Sequence, residues 1–192
     1  FDKIRERMPG YDYIYLGDNA RAPYGPRSFD VVYRFTRQAV MRLFAEGCQL
    51  VILACNTASA KALRTIQQRD LPVWDETRRV LGVIRPTVEL MDRISRSKHV
   101  GVVGTAGTIA SGSYQIEIAK MFPNIQITSE ACPMWVPLVE NNEFDSPGAD
   151  YFVRKYLDEL FRKDPLIDTL ILGCTHYPLL IEKIRRYVPT GV

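Results

Sequence analysis

At 192 residues the chain is long enough for one large domain or two small ones, each with a core of its own. Hydrophobic residues make up 46% and charged residues 24%, an ordinary globular balance, and no apolar run nears the roughly 20 residues of a membrane-spanning helix. A formal net charge of +3, with basic residues scattered among acids, provides no electrostatic footprint for nucleic acid.

In chain order, "FDKIRERMPG" reads as an amphipathic helix, with Phe1, Ile4 and Met8 at helical spacing. Tyr13–Leu16 reads as a first strand. Ser28 can cap a helix running to about Glu46, with Gly47 stopping it. Leu50–Ala54 is the next strand, followed by a helix over Thr57–Gln68. The charged stretch "WDETRRV" lies in a weak boundary at Pro72–Arg85, within which Val80–Ile84 reads as a strand. Pro86–Arg96 follows as a helix, then the strand Val100–Gly104 and a helix over Ile109–Met121. Ile125–Thr128 and Thr169–Leu172 complete the strands; Ala149–Arg162 and Pro178–Tyr187 complete the helices. Short β-branched runs alternating with amphipathic stretches predict parallel α/β sheets. Several strands are apolar throughout, so helices are expected over both of their faces.

Two segments share one grammar. In "LVILACNTASA" (residues 50–60) and "TLILGCTHYPLL" (residues 169–180), an apolar strand runs into a small residue, a Cys, a Thr within two positions and a helix. Ligands of open α/β sheets bind at the carboxyl ends of strands, beside helix N-termini that suit anions and lower a thiol's pKa. Cys55 and Cys174 take those places, and Asn56, Thr57 and Thr175 add neutral partners for a carboxylate. A strand-end Cys is also an ordinary small core residue, the reading given to Cys48 and Cys132. A core thiol, however, has no use for Asn-Thr or Thr-His after it. No CxxC pair occurs among the four cysteines, which argues against zinc or a disulfide framework, and no stretch reads as a secretory signal. Reduced thiols in a cytoplasmic protein are the expectation. Two thiols without a metal suit inversion of a carbon stereocentre, where one group removes a proton from one face and another returns one to the opposite face. His176 can orient or deprotonate Cys174, or satisfy a backbone carbonyl. His99 reads as a surface residue and Met134 and Trp135 as packing. "PYG" is open to reading as a Pro-Gly turn, and Glu140 as a solvated helix residue. "GTAGT" looks like a phosphate-type loop without dinucleotide spacing.

Five stretches, "YLGDNARAPYGPRS", "LVILACNTASAKAL", "VGVVGTAGTIASGSY", "ACPMWVPLVE" and "LILGCTHYPLL", together resemble the glutamate racemases of the aspartate/glutamate racemase superfamily. The resemblance runs from about Tyr13 to Tyr187. It implies two similar parallel-sheet α/β domains with the active site in the cleft between them, taken here as residues 1–84 and 85–192. It also implies an isomerase that interconverts L- and D-glutamate without a cofactor, the latter for peptidoglycan, with a homodimer plausible by family analogy. By motif, Cys55 and Cys174 are the acid/base thiols, Cys55 facing D-glutamate and Cys174 L-glutamate. Tyr24, Gly25, Asn56, Thr57 and Thr175 hold the substrate's carboxylates and amine; Thr105 and Thr108 line the pocket. Glu140 and His176 tune Cys174. The family's opening strand, ending in Asp-Ser-Gly, and a C-terminal strand and helix of the first domain have no counterpart here. The chain is therefore expected to be a fragment of a longer enzyme. Racemisation of aspartate or a hydantoin, and a non-catalytic α/β binding module, are the competing readings; a thiol–disulfide oxidoreductase is disfavoured by the lack of CxxC.

Overall fold

The computed structural model describes residues 1–192. Five strands form two sheets, parallel throughout. In the first sheet β1 (Leu50–Leu53) pairs with β2 (Arg79–Gly82), Ile52 opposite Leu81. In the second, β3 (His99–Gly104) lies between β4 (Gln126–Ala131) and β5 (Thr169–Gly173), with Val100 opposite both Ile127 and Thr169. Parallel neighbours demand crossover connections, and helices supply them.

The second sheet is covered on both faces, as its apolar strands predict. Val100 and Val102 face a cluster containing Ile84, Val88, Met91, Tyr114 and Ile118. Val103, on the other face, joins Trp135, Leu138, Val153, Leu157 and Tyr177. The Pro147–Lys163 helix lies on that side, capped by the Ser146 hydroxyl accepting from the Ala149 N–H. Gly101 lets it in: a Cβ there would stand 3.0 Å from Leu160 Cδ2. Trp135 is fully buried, edge-on to Tyr177 at 4.7 Å, which makes it packing as expected, whereas Met134 is exposed.

The first sheet departs from expectation. Val51, Leu53 and Val80 pack against Val40 and Phe44 of the Phe29–Ala45 helix and against Ala62 and Ile66. The opposite face carries Leu50, Ile52 and Leu81, each 44–48% exposed. No helix of residues 1–192 lies over it. Tyr13–Leu16 forms no strand either, because no neighbouring strand offers it a ladder; Ile14, Tyr15 and Leu16 are exposed. The Ser28 cap is present, with its hydroxyl accepting from Val31 N–H, and Gly47 leaves the helix at a φ of +94°.

Three expected helices are broken. Thr57–Gln68 is replaced by Asn56–Lys61 and then by short turns to Trp74, including a wide turn over Ile66–Asp70. Pro86–Arg96 becomes Ile84–Val88 and Met91–Ile94, so β2 ends at Gly82 and Ile84 is helical. Ile109–Met121 divides into Ala106–Ala110 and Ser113–Met121 around Gly112, whose φ of +63° turns the chain. The Asp2–Arg7 helix forms with no buried residue. His99 opens β3 and is partly buried, its Nδ1 2.8 Å from Asp164 Oδ2, rather than a free surface residue.

Candidate active site

The strand-to-helix passage at Cys55 is held from both sides. Cys55 caps the Asn56–Lys61 helix at the end of β1. Ser59, one turn in, donates to Leu53 O (3.0 Å) and accepts from Val83 N–H (3.3 Å), pinning the helix to the ends of β1 and β2. Asn56 and Thr57 are buried. Thr57 Oγ1 lies 3.1 Å from Thr105 Oγ1 and 3.3 Å from Thr108 Oγ1, and those two are 3.0 Å apart. Three buried hydroxyls thus join the helix after β1 to the turn after β3. Thr105 doubles as the cap of the Ala106–Ala110 helix, accepting from Thr108 N–H.

The "PYG" segment is more than a turn. Tyr24 OH donates to Asp18, which also takes Arg21 Nε at 2.8 Å. Burial works to raise the Asp18 carboxyl, but the hydrogen bonds of Tyr24 and Arg21 outweigh it and hold the pKa below its ordinary value. The Tyr24 hydroxyl is pushed well up by burial, by its bond to Asp18 and, more weakly, by the charge of Cys55. Gly25 rests on Thr105, where a Cβ would come within 3.0 Å of that side chain.

The second thiol follows β5. Gly173 lets the strand close on β3, a Cβ there falling 2.8 Å from Val103 O, and Cys174 comes next, buried. Burial pushes the Cys174 thiol up to about 11; the charge of Cys55 adds to this, and the backbone N–H groups of His176 and Thr175 oppose it. Cys174 is therefore a protonated thiol at neutral pH. His176 Nδ1 stands 3.6 Å from its sulfur, and the other ring nitrogen, Nε2, is hydrogen-bonded to Glu140, the last residue of the Trp135–Glu140 helix. Glu140 is exposed, but it is engaged rather than merely solvated. Thr175 is exposed beside Cys174. Cys132, fully buried and pushed far up by burial, is a core thiol as expected.

Two residues beside the site were not singled out in the sequence. Tyr114 is buried on the Ser113–Met121 helix and donates to Asn56 Oδ1 at 2.7 Å. Burial raises its pKa far above the usual range and the charge of Cys174 adds to this, so it touches the polar residue beside one thiol and feels the other. Its sequence signal was weak: a tyrosine one turn past a strand-end loop. Lys61 is the second, buried at the end of the Cys55 helix. No group of three His, Cys, Asp or Glu side chains converges on a metal position, and all four cysteines are free thiols. The arrangement can move protons: two sulfurs at the ends of strands from different sheets, and a carboxylate–imidazole pair behind one of them.

A family model described as Asp/Glu/Hydantoin racemase matches residues 2–192. A glutamate racemase from Persephonella marina is 40% identical over 190 residues, spanning 98% of this chain and 70% of its own length. One from Enterococcus faecalis is 43% identical over 187 residues, 97% of this chain and 66% of its own. The crystal structure of a Bacillus anthracis glutamate racemase superposes with a TM-score of 0.89 at 35% identity, covering all of this chain and 69% of that one. That of the Francisella tularensis glutamate racemase in complex with D-glutamate gives 0.84 at 33% identity, covering 96% and 66%. By sequence over nearly its whole length, and by fold, the chain belongs to the Asp/Glu/Hydantoin racemase family of isomerases.

Proposed function

We propose that the protein is a glutamate racemase that works without a cofactor, using Cys55 and Cys174 as a pair of acid/base thiols, and that it supplies D-glutamate for peptidoglycan in the cytoplasm. The observation that carries this reading is the pair of strand-end thiols, with the charge of Cys55 felt at Cys174 and the Glu140–His176 pair behind Cys174. The choice of glutamate is supported by the names of the relatives and by the D-glutamate held in the Francisella structure. The same reading takes residues 1–84 and 85–192 as two halves with the substrate in the cleft between them.

The reaction balances in one proton each way. With L-glutamate, the Cys174 thiolate takes the α-proton, the electron pair of the C–H bond passes to Cα and spreads into the α-carboxylate, and the Cys55 thiol gives its proton to the opposite face. Cys174 ends protonated and Cys55 as thiolate, which is the starting state for D-glutamate. The α-proton is very weakly acidic, so the carboxylate must meet fixed hydrogen-bond donors as charge builds on it. Asn56, Thr57 and Thr175 take that role, with Tyr24 and Gly25 at the substrate's other polar groups. Because burial keeps Cys174 protonated, its thiolate forms by passing the proton to His176 Nδ1, and the Glu140 carboxylate steadies the imidazolium.

The test is proton exchange in deuterated water without added cofactor. Loss of the α-proton together with loss of optical rotation, from either enantiomer of glutamate, is the expected result. Cys55→Ala and Cys174→Ala should each abolish racemisation; normal turnover by either variant sinks the two-thiol scheme. A folded protein that exchanges neither enantiomer of glutamate but exchanges aspartate would move the substrate within the family.

A further inference from the structure

Lys61 has no part in the mechanism above, yet its ammonium lies where three pieces of the site meet. It ends the helix that Cys55 begins, four residues after Thr57 and so on the same helix face. It is only 8% exposed. Nζ donates to the backbone carbonyl of Arg27, at the end of the turn that carries Tyr24 and Gly25, and lies 5.1 Å from the centroid of the Phe29 ring. Gly107, in the turn after β3, closes the space from the far side. A Cβ on Gly107 would fall 2.6 Å from Nζ and 2.5 Å from Gly25 O, so lysine, turn and glycine occupy one point.

A buried ammonium is costly, and this one has no carboxylate to offset it; burial alone acts on its pKa, lowering it. A methionine would fill the same volume without that cost. What the ammonium adds is a charged donor to Arg27 O, and such bonds are stronger than neutral ones. The turn's other ties run elsewhere. Tyr24 and Arg27 bond within residues 18–27, while Arg21 reaches Gln38 and both arginines stack on Phe35 of the Phe29–Ala45 helix. The side-chain hydrogen bond linking the turn to the Cys55 helix is that of Lys61.

We propose that Lys61 is a positioning residue: it fastens the Tyr24–Arg27 turn to the helix headed by Cys55 and so holds Tyr24 and Gly25 over Thr105, where they meet the substrate. The word substrate rests on the racemase reading; the fastening does not.

Two readouts separate these. Amide hydrogen exchange of the Ala22–Ser28 segment tests the fastening with no reference to activity, and steady-state kinetics test its consequence. In Lys61→Met, exchange in that segment should speed up by about tenfold, and KM for both enantiomers should rise by about tenfold, the equivalent of one charged hydrogen bond, with kcat within about twofold. Lys61→Gln, which keeps a polar head but is too short to bring a charged donor to Arg27 O, should reproduce both changes, and it decides the matter if Lys61→Met fails to fold. Unchanged exchange in a folded variant overturns the proposal. So does a fall in kcat at constant KM, which would make Lys61 a participant in the chemistry. A wild-type protein that does not racemise glutamate defeats the functional reading alone, since the exchange measurement still decides the tie.

Discussion

Glu140 controls which ring nitrogen of His176 carries the proton. A carboxylate can only accept, so the hydrogen sits on Nε2 and Nδ1 is left as a lone pair 3.6 Å from the Cys174 sulfur, ready to take the thiol proton. In Glu140→Gln the amide can donate to Nε2, the hydrogen moves to Nδ1, and the base facing Cys174 is lost. Loss of a positioned base costs about a hundredfold in rate. L- and D-glutamate are equal in free energy, so kcat/KM must fall by the same factor in both directions. The asymmetry appears in kcat, which should drop more from L-glutamate, for which the proposed scheme makes Cys174 the base. Steady-state rates from each enantiomer check this; an unchanged kcat/KM would remove Glu140 from the mechanism. Tyr114→Phe tests the other side of the site. It frees Asn56 Oδ1 from its 2.7 Å bond without opening a cavity. A lost hydrogen bond of about 1 kcal/mol corresponds to roughly a fivefold rise in KM, and leaving the buried Asn56 oxygen unpaired should lower the melting temperature by roughly 2–4 °C. Glu140 and His176 were placed together by motif, as neighbours of a thiol. Tyr114 was not, because its partner lies 58 positions away in sequence and only the fold brings them together.

Asp168, at the start of the β5 segment, ties that strand to the loop before β3. Its carboxylate accepts from Ser95 Oγ (2.7 Å), the N–H groups of Arg96 (2.7 Å) and Ser97 (2.6 Å), and Thr169 Oγ1 (3.0 Å). Burial works to raise its pKa, but these donors together drive it far below the usual carboxylate range. A depressed carboxyl contributes stability that is fully present above its unfolded value of about 3.9 and is lost as pH falls through the folded value. Asp168→Asn removes the charge and leaves a single acceptor oxygen for four donors. It should cost about 1–2 kcal/mol, allowing for solvent screening at this partly exposed position, and lower the melting temperature by roughly 3–6 °C at pH 7. The gap from wild type should shrink when the melts are repeated below about pH 3; a gap that stays constant with pH refutes the charge-based account. The elements themselves were legible where their signals are local. Ser28 and Gly47 bound a helix that forms as read, and the β3 and β5 strands fall within a residue of expectation. The signal failed where tertiary contact decides. A parallel strand needs a neighbour that Tyr13–Leu16 lacks, and helix periodicity carried across Gly112 and Leu90, where the chain turns.

On the scale of the whole molecule, polar contacts join the two sheets beside the packing of Ala60 against the cluster of Ile84, Val88 and Tyr114. Thr57 meets Thr105 and Thr108, Asn56 meets Tyr114, and Ser113 Oγ donates to Ala60 O at 3.2 Å. The strand-end motifs "ACNT" and "GTAGT" were readable as candidate ligand sites; that their hydroxyls grip one another was not, since side-chain pairing across sheets leaves no trace in spacing. The apolar content of β1 and β2 leaves the burial of one face open. A run such as "LVIL" is equally suited to burial on two faces or one, and here Ile52 lies opposite Leu81 on an open face, with Leu50 beside them. A contiguous exposed apolar face drives self-association. Replacing Ile52 and Leu81 together by Thr, a β-branched residue that suits a strand and carries a hydroxyl, should therefore lower light scattering by this 192-residue chain at high concentration. Neither side chain belongs to the packed core of Val51, Leu53 and Val80, so the melting temperature should stay within about 4 °C of the original. Unchanged scattering would mean that the face is not where molecules adhere. A large drop in melting temperature would mean that these side chains are buried in solution.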